Sequence, residues 1–351
     1  MEETNQTRKI RLTATGDILL HKRLFKTARK VIGYDFMPKL NNAKALFADS
    51  DITIVNQESI IAGKKLGLSS FPKFNSPVEI GYALKELGVD IVNLANNHVL
   101  DLNEEGILES IKNWEKIGIP YVGAYKSFKD QEELRIINKN GLRVCFLSYT
   151  RGTNSIEPPK GKEYLVNKYH PNKLKKTKDL IKSIRNKDLA DVIVVSLHFG
   201  KEYHLYPSSE QQEVARDLSD AGADVILGHH PHVLQPPEWI LNSRGKKSFV
   251  AYSLGNFYSG QEGLYRQIGG VLSIDIEKPD PSSTMLKIDN PRLNLTFVDS
   301  TDERDFKLSL LKDIVESRKL IKTDMGEFDS NEVYEEITQR MKDKVKDLKI
   351  N

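Results

Sequence analysis

The sequence predicts an α/β fold, a sandwich or layered sheet, and three observations predict it. Short β-type runs alternate with helix-type stretches along most of the chain. Five β-type runs end in polar clusters: Ile10–Thr15 in Gly16-Asp17, Ile52–Val55 in Asn56-Gln57-Glu58, Ile91–Leu94 in Ala95-Asn96-Asn97-His98, Val192–Leu197 in His198, and Val225–Leu227 in Gly228-His229-His230-Pro231-His232. Asn140-Gly141, between Glu133–Lys139 and Leu142–Tyr149, reads as a type I′ hairpin. That antiparallel excursion predicts a mixed sheet, or two sheets.

The helices between the strands have readable starts and stops. Ser76-Pro77-Val78-Glu79 places an N-cap, a proline at N1 and a glutamate at N3 ahead of Ile80–Leu87, with Gly88 as the stop. Asn103–Ile117 stops at Gly118, and Ser208/Ser209 open a helix that reaches Asp220 and ends at Gly222. Arg151–Lys162, with Gly152, Pro158, Pro159 and Gly161, is a loop: a lid or rim on one reading, a plain surface connection on the other. After Gly270 come the short strands Val271–Ile276 and Arg292–Phe297, then charged helical stretches at about 304–320 and 330–348. Those stretches are expected to pack as a helical extension, 301–351, on a main domain spanning 8–300.

Composition excludes several classes of function. The chain's 351 residues are ample for a buried core, and 52 Lys+Arg against 49 Asp+Glu leave a net charge of +3. No overall field recruits nucleic acid or an anionic membrane, so partners must be chosen by a local site. The hydrophobic share of 39% suits a folded protein, and no stretch approaches the roughly 20 apolar residues of a membrane helix. A single cysteine, Cys145, rules out an intrachain disulfide and a cysteine zinc cluster, and its β-like surroundings predict a buried structural thiol. The first residues show neither a basic n-region nor an apolar h-region. An extracellular or cell-surface location is expected if a leader precedes the chain, a cytoplasmic one otherwise.

Of eight histidines, five (His98, His198, His229, His230, His232) fall just after predicted strands. In α/β sheets the carboxyl ends of strands are where loops converge over a ligand crevice. Asp17, Glu58 and Asn97 join them there as metal-ligand types. Singly, each has a plainer reading: Asp17 as a turn cap, Glu58 as a solvated charge, Asn97-His98 as a hydrogen-bonded turn, His198 as a strand-end histidine. Three imidazoles in five residues, stiffened by Pro231, weigh against coincidence for the set. Carboxylate, amide and imidazole without thiolate suit Mn²⁺, Fe²⁺ or Zn²⁺. Six donors (Asp17, Glu58, Asn97, His198, His230, His232) exceed what one open tetrahedral ion takes, so two ions sharing a carboxylate would use them.

In this order the motifs resemble the CapA family of poly-γ-glutamate capsule synthesis proteins, within the calcineurin-like metallophosphoesterase superfamily. The matching stretches are Thr15–Leu19, Asn56–Ser59, Phe71–Pro77, Asn93–His98 with Asp101, His198–Tyr203, Gly222–His232 and Tyr252–Phe257, within about Arg8 to Ile276. The resemblance implies a four-layered αββα sandwich with metals at the strand ends. It places Asp17, Glu58 and His232 on one ion and Glu58, Asn97, His198 and His230 on the other. It puts His98 in the general-acid position and His229 and Glu202 behind the ligands or facing substrate. Two departures stand out: Leu19 occupies the position of the superfamily's usual first-motif histidine, and Glu58 replaces its bridging aspartate. A single or readily lost ion is therefore also compatible; His21, the nearest imidazole, either faces the site as a substitute or, beside Lys22 and Arg23, lies at the surface, which is the expected reading.

The implied activity is metal-dependent hydrolysis of a phosphate ester or related anionic, polyglutamate-linked substrate, with His98 protonating the leaving group. Lys73 and Asn75, just before a helix start, are candidates to hold an anion, or else ordinary loop residues. The alternative is a non-catalytic component that grips or exports polyglutamate through bound metal, beside membrane-bound synthesis machinery. The plainest reading leaves the histidines structural.

Overall fold

The computed structural model describes residues 8–279, 286–300 and 305–351. Four strands, β1 (Arg8–Leu19), β2 (Ile52–Gln57), β3 (Ile91–Asn93) and β4 (Tyr121–Val122), run parallel in one sheet. That sheet continues antiparallel from β1 through Ile268–Lys278 to Lys287–Val298. The second sheet begins with the hairpin of β5 (Arg135–Lys139) and β6 (Leu142–Thr150), whose turn residues Asn140 and Gly141 have φ of 48° and 77°. Positive φ at both central positions is what the type I′ turn requires. From β6 the sheet runs parallel through β7 (Val192–His198), β8 (Val225–His229) and Lys247–Ala251, and closes with antiparallel Glu238–Leu241.

Alternation along the strands sorts side chains into layers. Val192 and Val194 face the inter-sheet core with Ile52, Ile54, Val144 and Val225, whereas Ile193 and Val195 face outward onto a helix layer. Strands covered on both sides read as continuous apolar runs, which is why β2, β7 and β8 are buried along their whole length. Helix Glu79–Glu86 and helix Asn103–Ile117 cover the first sheet through Leu84, Ile107, Ile111 and Trp114. Helix Lys175–Asn186 and helix Ser209–Ala221 cover the second through Ile181, Ile184, Val214 and Leu218. The result is an αββα sandwich, each fully buried aliphatic side chain contributing roughly 1.5–3 kcal/mol.

Local signals hold where tertiary contacts leave them free. Ser208 and Gln211 form a reciprocal capping box, and Gly118 ends its helix in the left-handed conformation. Ser76 does not cap: its hydroxyl bonds Ser59 Oγ at 2.8 Å, and the helix starts at Glu79 with Val78 as N-cap. The C-terminal stretch is also more varied than two helices. Residues 301–304, where the expected extension begins, lie outside the described residues. Beyond them Leu308–Leu310 and Lys349–Ile350 both add to Lys287–Val298, Leu320–Thr323 pairs with Gly326–Asp329, and the helices are Leu311–Glu316 and Ser330–Met341. Leu311, Ile321, Ile337 and Met341 enter the inter-sheet core, so this segment closes the end of the sandwich. Cys145 is fully buried in β6, and burial pushes its thiol up to about 12, as a structural thiol should behave. Among the described residues no helix is long and apolar enough to cross a membrane.

Candidate metal centre

The carboxyl ends of β1, β2 and β3 in one sheet and of β7 and β8 in the other deliver their polar clusters to one place at the seam between the sheets. Entry of β1 is tight. Its register against β2 shifts between Ala14 and Asp17, and the Asp17 amide donates to the Gly255 carbonyl at 2.8 Å. A Cβ on Gly16 would stand 2.1 Å from that carbonyl oxygen, so only glycine lets the two backbones meet. Gly16→Ala is therefore expected to cost about 1–3 kcal/mol or more, and to displace Asp17. A denaturant midpoint within experimental error of wild type would contradict this.

Asp17 is fully buried and ringed by donors. Its Oδ1 accepts from Asn56 Nδ2 at 2.8 Å and lies 3.2 Å from His229 Nδ1, and its Oδ2 lies 3.0 Å from His232 Nδ1. The His230 amide also donates to Oδ2, at 3.3 Å. The loop that brings these groups in is strained, with His230 at φ 96° and His232 at φ 58°. Such conformations cost of order 1–3 kcal/mol and persist where surrounding structure imposes them.

Glu58 lies at the middle of the cluster. Its Oε1 is 3.5 Å from His198 Nε2 and 3.7 Å from His232 Nε2, yet both carboxylate oxygens are buried without a hydrogen-bond partner. His198 Nδ1 and His230 Nδ1 are likewise buried and unpartnered, and the two rings lie 4.8 Å apart. Asn97 Oδ1 accepts from His198 Nε2 at 2.9 Å. All six predicted donors thus come together. Two groups of three place one ligand atom per residue within 4.8 Å of one another, Glu58-His230-His232 and Asp17-Glu58-His198, so Glu58 belongs to both. The remaining donors of the two groups are His230 with His232 and Asp17 with His198.

His98, beside Asn97, is oriented by Asp101, whose Oδ2 lies 2.7 Å from His98 Nδ1 and also accepts the Phe74 amide at 2.6 Å. Phe74 packs edge-on against His98 at 4.7 Å and against His21 at 5.0 Å. His21 is therefore not a free surface histidine: it is partly buried, with burial pulling its imidazole down to about 4. From the loop after β6, Asn154 reaches the same corner, its amide 3.3 Å from Asn97 Nδ2 and 3.4 Å from His98 Nδ1. The loop thus forms a rim.

Three candidates lie apart from this cluster. Glu202 is exposed, and acts on the site through its charge. Lys73 is exposed in its loop. Asn75 is buried and spends its amide on the backbone of Gly63 and Gly67, bracing that loop. The sequence reading missed the groups that hold the donors: Asn56 behind Asp17, and Asn256, whose Oδ1 lies 3.1 Å from His232 Nδ1.

Without a cation, the charges settle unevenly. Burial raises Asp17, but hydrogen bonds from His229 and His232 outweigh it and hold the carboxyl well below its usual range. Glu58, with no such bonds, is pushed well above that range by burial. His198 falls well below the ordinary imidazole value, and His230 falls to about 4, both through burial first. For His232 burial also pulls downward, yet the carboxylates of Glu58 and Asp17 prevail and raise it to about 9.

A raised imidazole stabilises the fold fully below its unfolded value near 6.5, and that contribution is lost as pH climbs through about 9. A cation needs His232 neutral and Glu58 ionised, so its uptake releases protons. Apparent Mn²⁺ affinity should rise about tenfold per pH unit for each proton released, between pH 6.5 and 8.5. Calorimetry in buffers of different ionisation enthalpy checks this, and an affinity independent of pH would contradict it.

The donor chemistry fits a divalent cation. A buried carboxylate with two orphaned oxygens carries a desolvation cost that a cation would offset. Imidazole, amide and carboxylate suit Mn²⁺, Fe²⁺ or Zn²⁺.

A family model described as bacterial capsule synthesis protein PGA_cap matches residues 11–261. The chain is 32% identical over 270 residues to the capsule biosynthesis protein CapA of Bacillus anthracis, a match covering 73% of this chain and 61% of that protein. It is 34% identical over 181 residues to the PGA biosynthesis protein CapA of Bacillus subtilis, covering 51% of this chain and 44% of that protein. The chain thus spans less than two thirds of either relative. A hypothetical protein from Thermus thermophilus superposes with a TM-score of 0.47 at 15% identity, over 82% of this chain and 99% of that one.

Proposed function

The chain belongs to the family of bacterial capsule synthesis proteins, and from that membership we propose that it serves capsule or poly-γ-glutamate synthesis through a divalent-cation centre with hydrolase chemistry. The observation that carries the proposal is Glu58: a fully buried carboxylate at the end of a strand of the first sheet, without hydrogen-bond partners, among imidazoles from the second sheet. Asp17, Glu58, Asn97, His198, His230 and His232 would hold one or two ions of Mn²⁺, Fe²⁺ or Zn²⁺. A cation held there would supply Lewis acidity toward an anionic oxygen and lower the pKa of water.

The remaining steps belong to the chain itself. Asp101 fixes the His98 ring by accepting at Nδ1, which leaves Nε2 as the atom that carries or delivers a proton. Asn56 and Asn256 hold Asp17 and His232 in place. Asn154 on the rim limits the space around Asn97 and His98. The substrate would be anionic, a phosphate ester or a polyglutamate chain, met beside membrane-bound synthesis machinery. The His98–Asp101 pair favours bond breaking over simple gripping, because a cation-mediated grip needs no oriented imidazole.

The test is a panel of phosphate esters and γ-glutamyl peptides with Mn²⁺ added, run beside a polyglutamate binding assay. Turnover dependent on Mn²⁺ and on Asp17 is expected. Binding that requires Asp17 and His232, with no turnover on any substrate, would leave the non-catalytic role in its place.

A further inference from the structure

We propose that Arg266, stacked on Tyr203 beside His232, is a carboxylate-recognition subsite that seats a polyanionic chain next to the metal centre. The inference rests on the functional reading above and adds to it the group that would read the substrate's charge. Tyr203 is 44% exposed, on the solvent side of buried His232, with the two rings 6.2 Å apart. It adopts φ 66° and is tied down by its amide, which donates to the Pro231 carbonyl at 2.8 Å. A tyrosine in the left-handed region is uncommon and marks a position that the surroundings impose.

The guanidinium of Arg266 lies 4.8 Å over the centre of that ring. Gly263 makes room for it, since a Cβ there would stand 2.4 Å from Arg266 Nη2. Asn256 links the two sites: its Oδ1 meets His232 Nδ1, and its Nδ2 donates to the Arg266 carbonyl at 2.9 Å. The arginine is therefore positioned by the same side chain that positions a predicted ligand.

Its charge is what the rest of the fold does not use. Arg11, Arg135, Arg143 and Arg185 each pair with an aspartate. Among the described residues Arg266 forms no ion pair, even with Glu202, which approaches the same phenol. One guanidinium donor is taken by the Tyr203 side chain, and the fork still has further edge donors to offer a bidentate carboxylate. Beside a centre lined by Asp17 and Glu58, such a cation offsets the repulsion an anionic chain meets on approach.

The experiment titrates an oligomer of γ-linked glutamate into the Mn²⁺-loaded full chain by calorimetry, for wild type, Arg266→Ala and Arg266→Lys, with Mn²⁺ affinity measured in parallel. Arg266→Ala should weaken oligomer binding about tenfold or more and flatten its salt dependence, with Mn²⁺ affinity unchanged. Arg266→Lys keeps the charge but loses the fork, so it should recover only part of the loss. If both variants bind the oligomer like wild type, the subsite is overturned and the proposed function stands. If Mn²⁺-loaded wild type binds no oligomer, the subsite is likewise overturned, and the proposed function is decided separately by Mn²⁺-dependent turnover on the phosphate esters.

Discussion

Glu58→Gln should lower the affinity of the centre for Mn²⁺ or Zn²⁺ by ~100-fold or more, about 3 kcal/mol, the scale of removing one partner from a buried charge pair. Glu58 is the residue shared by both donor groups, so its loss weakens both at once. The same substitution separates a metal site from a structural network. Neither Glu58 oxygen accepts a hydrogen bond and burial pushes the carboxyl well above its usual range, so without metal a neutral amide in its place removes no hydrogen bond from the fold. Metal-free Glu58→Gln should unfold at or above the wild-type temperature, while the metal-loaded proteins should differ in the opposite direction. A variant that binds metal like wild type, or that collapses without metal, would remove Glu58 from the centre.

His98→Ala should reduce turnover ~10²–10⁴-fold on any substrate the protein hydrolyses, the usual range for losing a positioned proton donor. Metal content should stay near wild type, because His98 is bonded to Asp101 and lies in neither donor group. Asp101→Asn can keep one carbonyl oxygen for both the Phe74 amide and His98 Nδ1 but removes the negative charge beside the ring, so its loss should be smaller and should shift the pH profile. Unchanged turnover in His98→Ala would take the imidazole out of the mechanism.

Much of this centre was legible in the sequence because parallel strands buried on both faces announce their ends. The apolar runs at Ile52–Val55 and Val225–Leu227 break into Glu58 and the His229–His232 cluster at the points where the backbone leaves the core. The supporting groups were harder to read. Asn56 and Asn256 stand in strands, where an amide gives no sign of the carboxylate or imidazole it holds. Asn75 carried a misleading signal: an asparagine before a helix start reads the same whether it faces an anion or braces a loop, and here it braces one. The C-terminal segment read as helix because its charges are dense. Its sparse apolar residues, Leu308, Ile321 and Ile337, are what attach it to the sandwich, partly as strands.

Strand ends from two sheets must form one cation site for any of this chemistry to occur. The direct measurement is metal uptake by chelator-stripped protein, by elemental analysis after dialysis against Mn²⁺ or Zn²⁺ and by the accompanying shift in unfolding temperature. The structure predicts at least one ion per chain, a rise in unfolding temperature that grows with metal concentration, and loss of both in Asp17→Asn and Glu58→Gln. A protein that stays metal-free in excess Mn²⁺ and Zn²⁺, with an unmoved unfolding temperature, would contradict it.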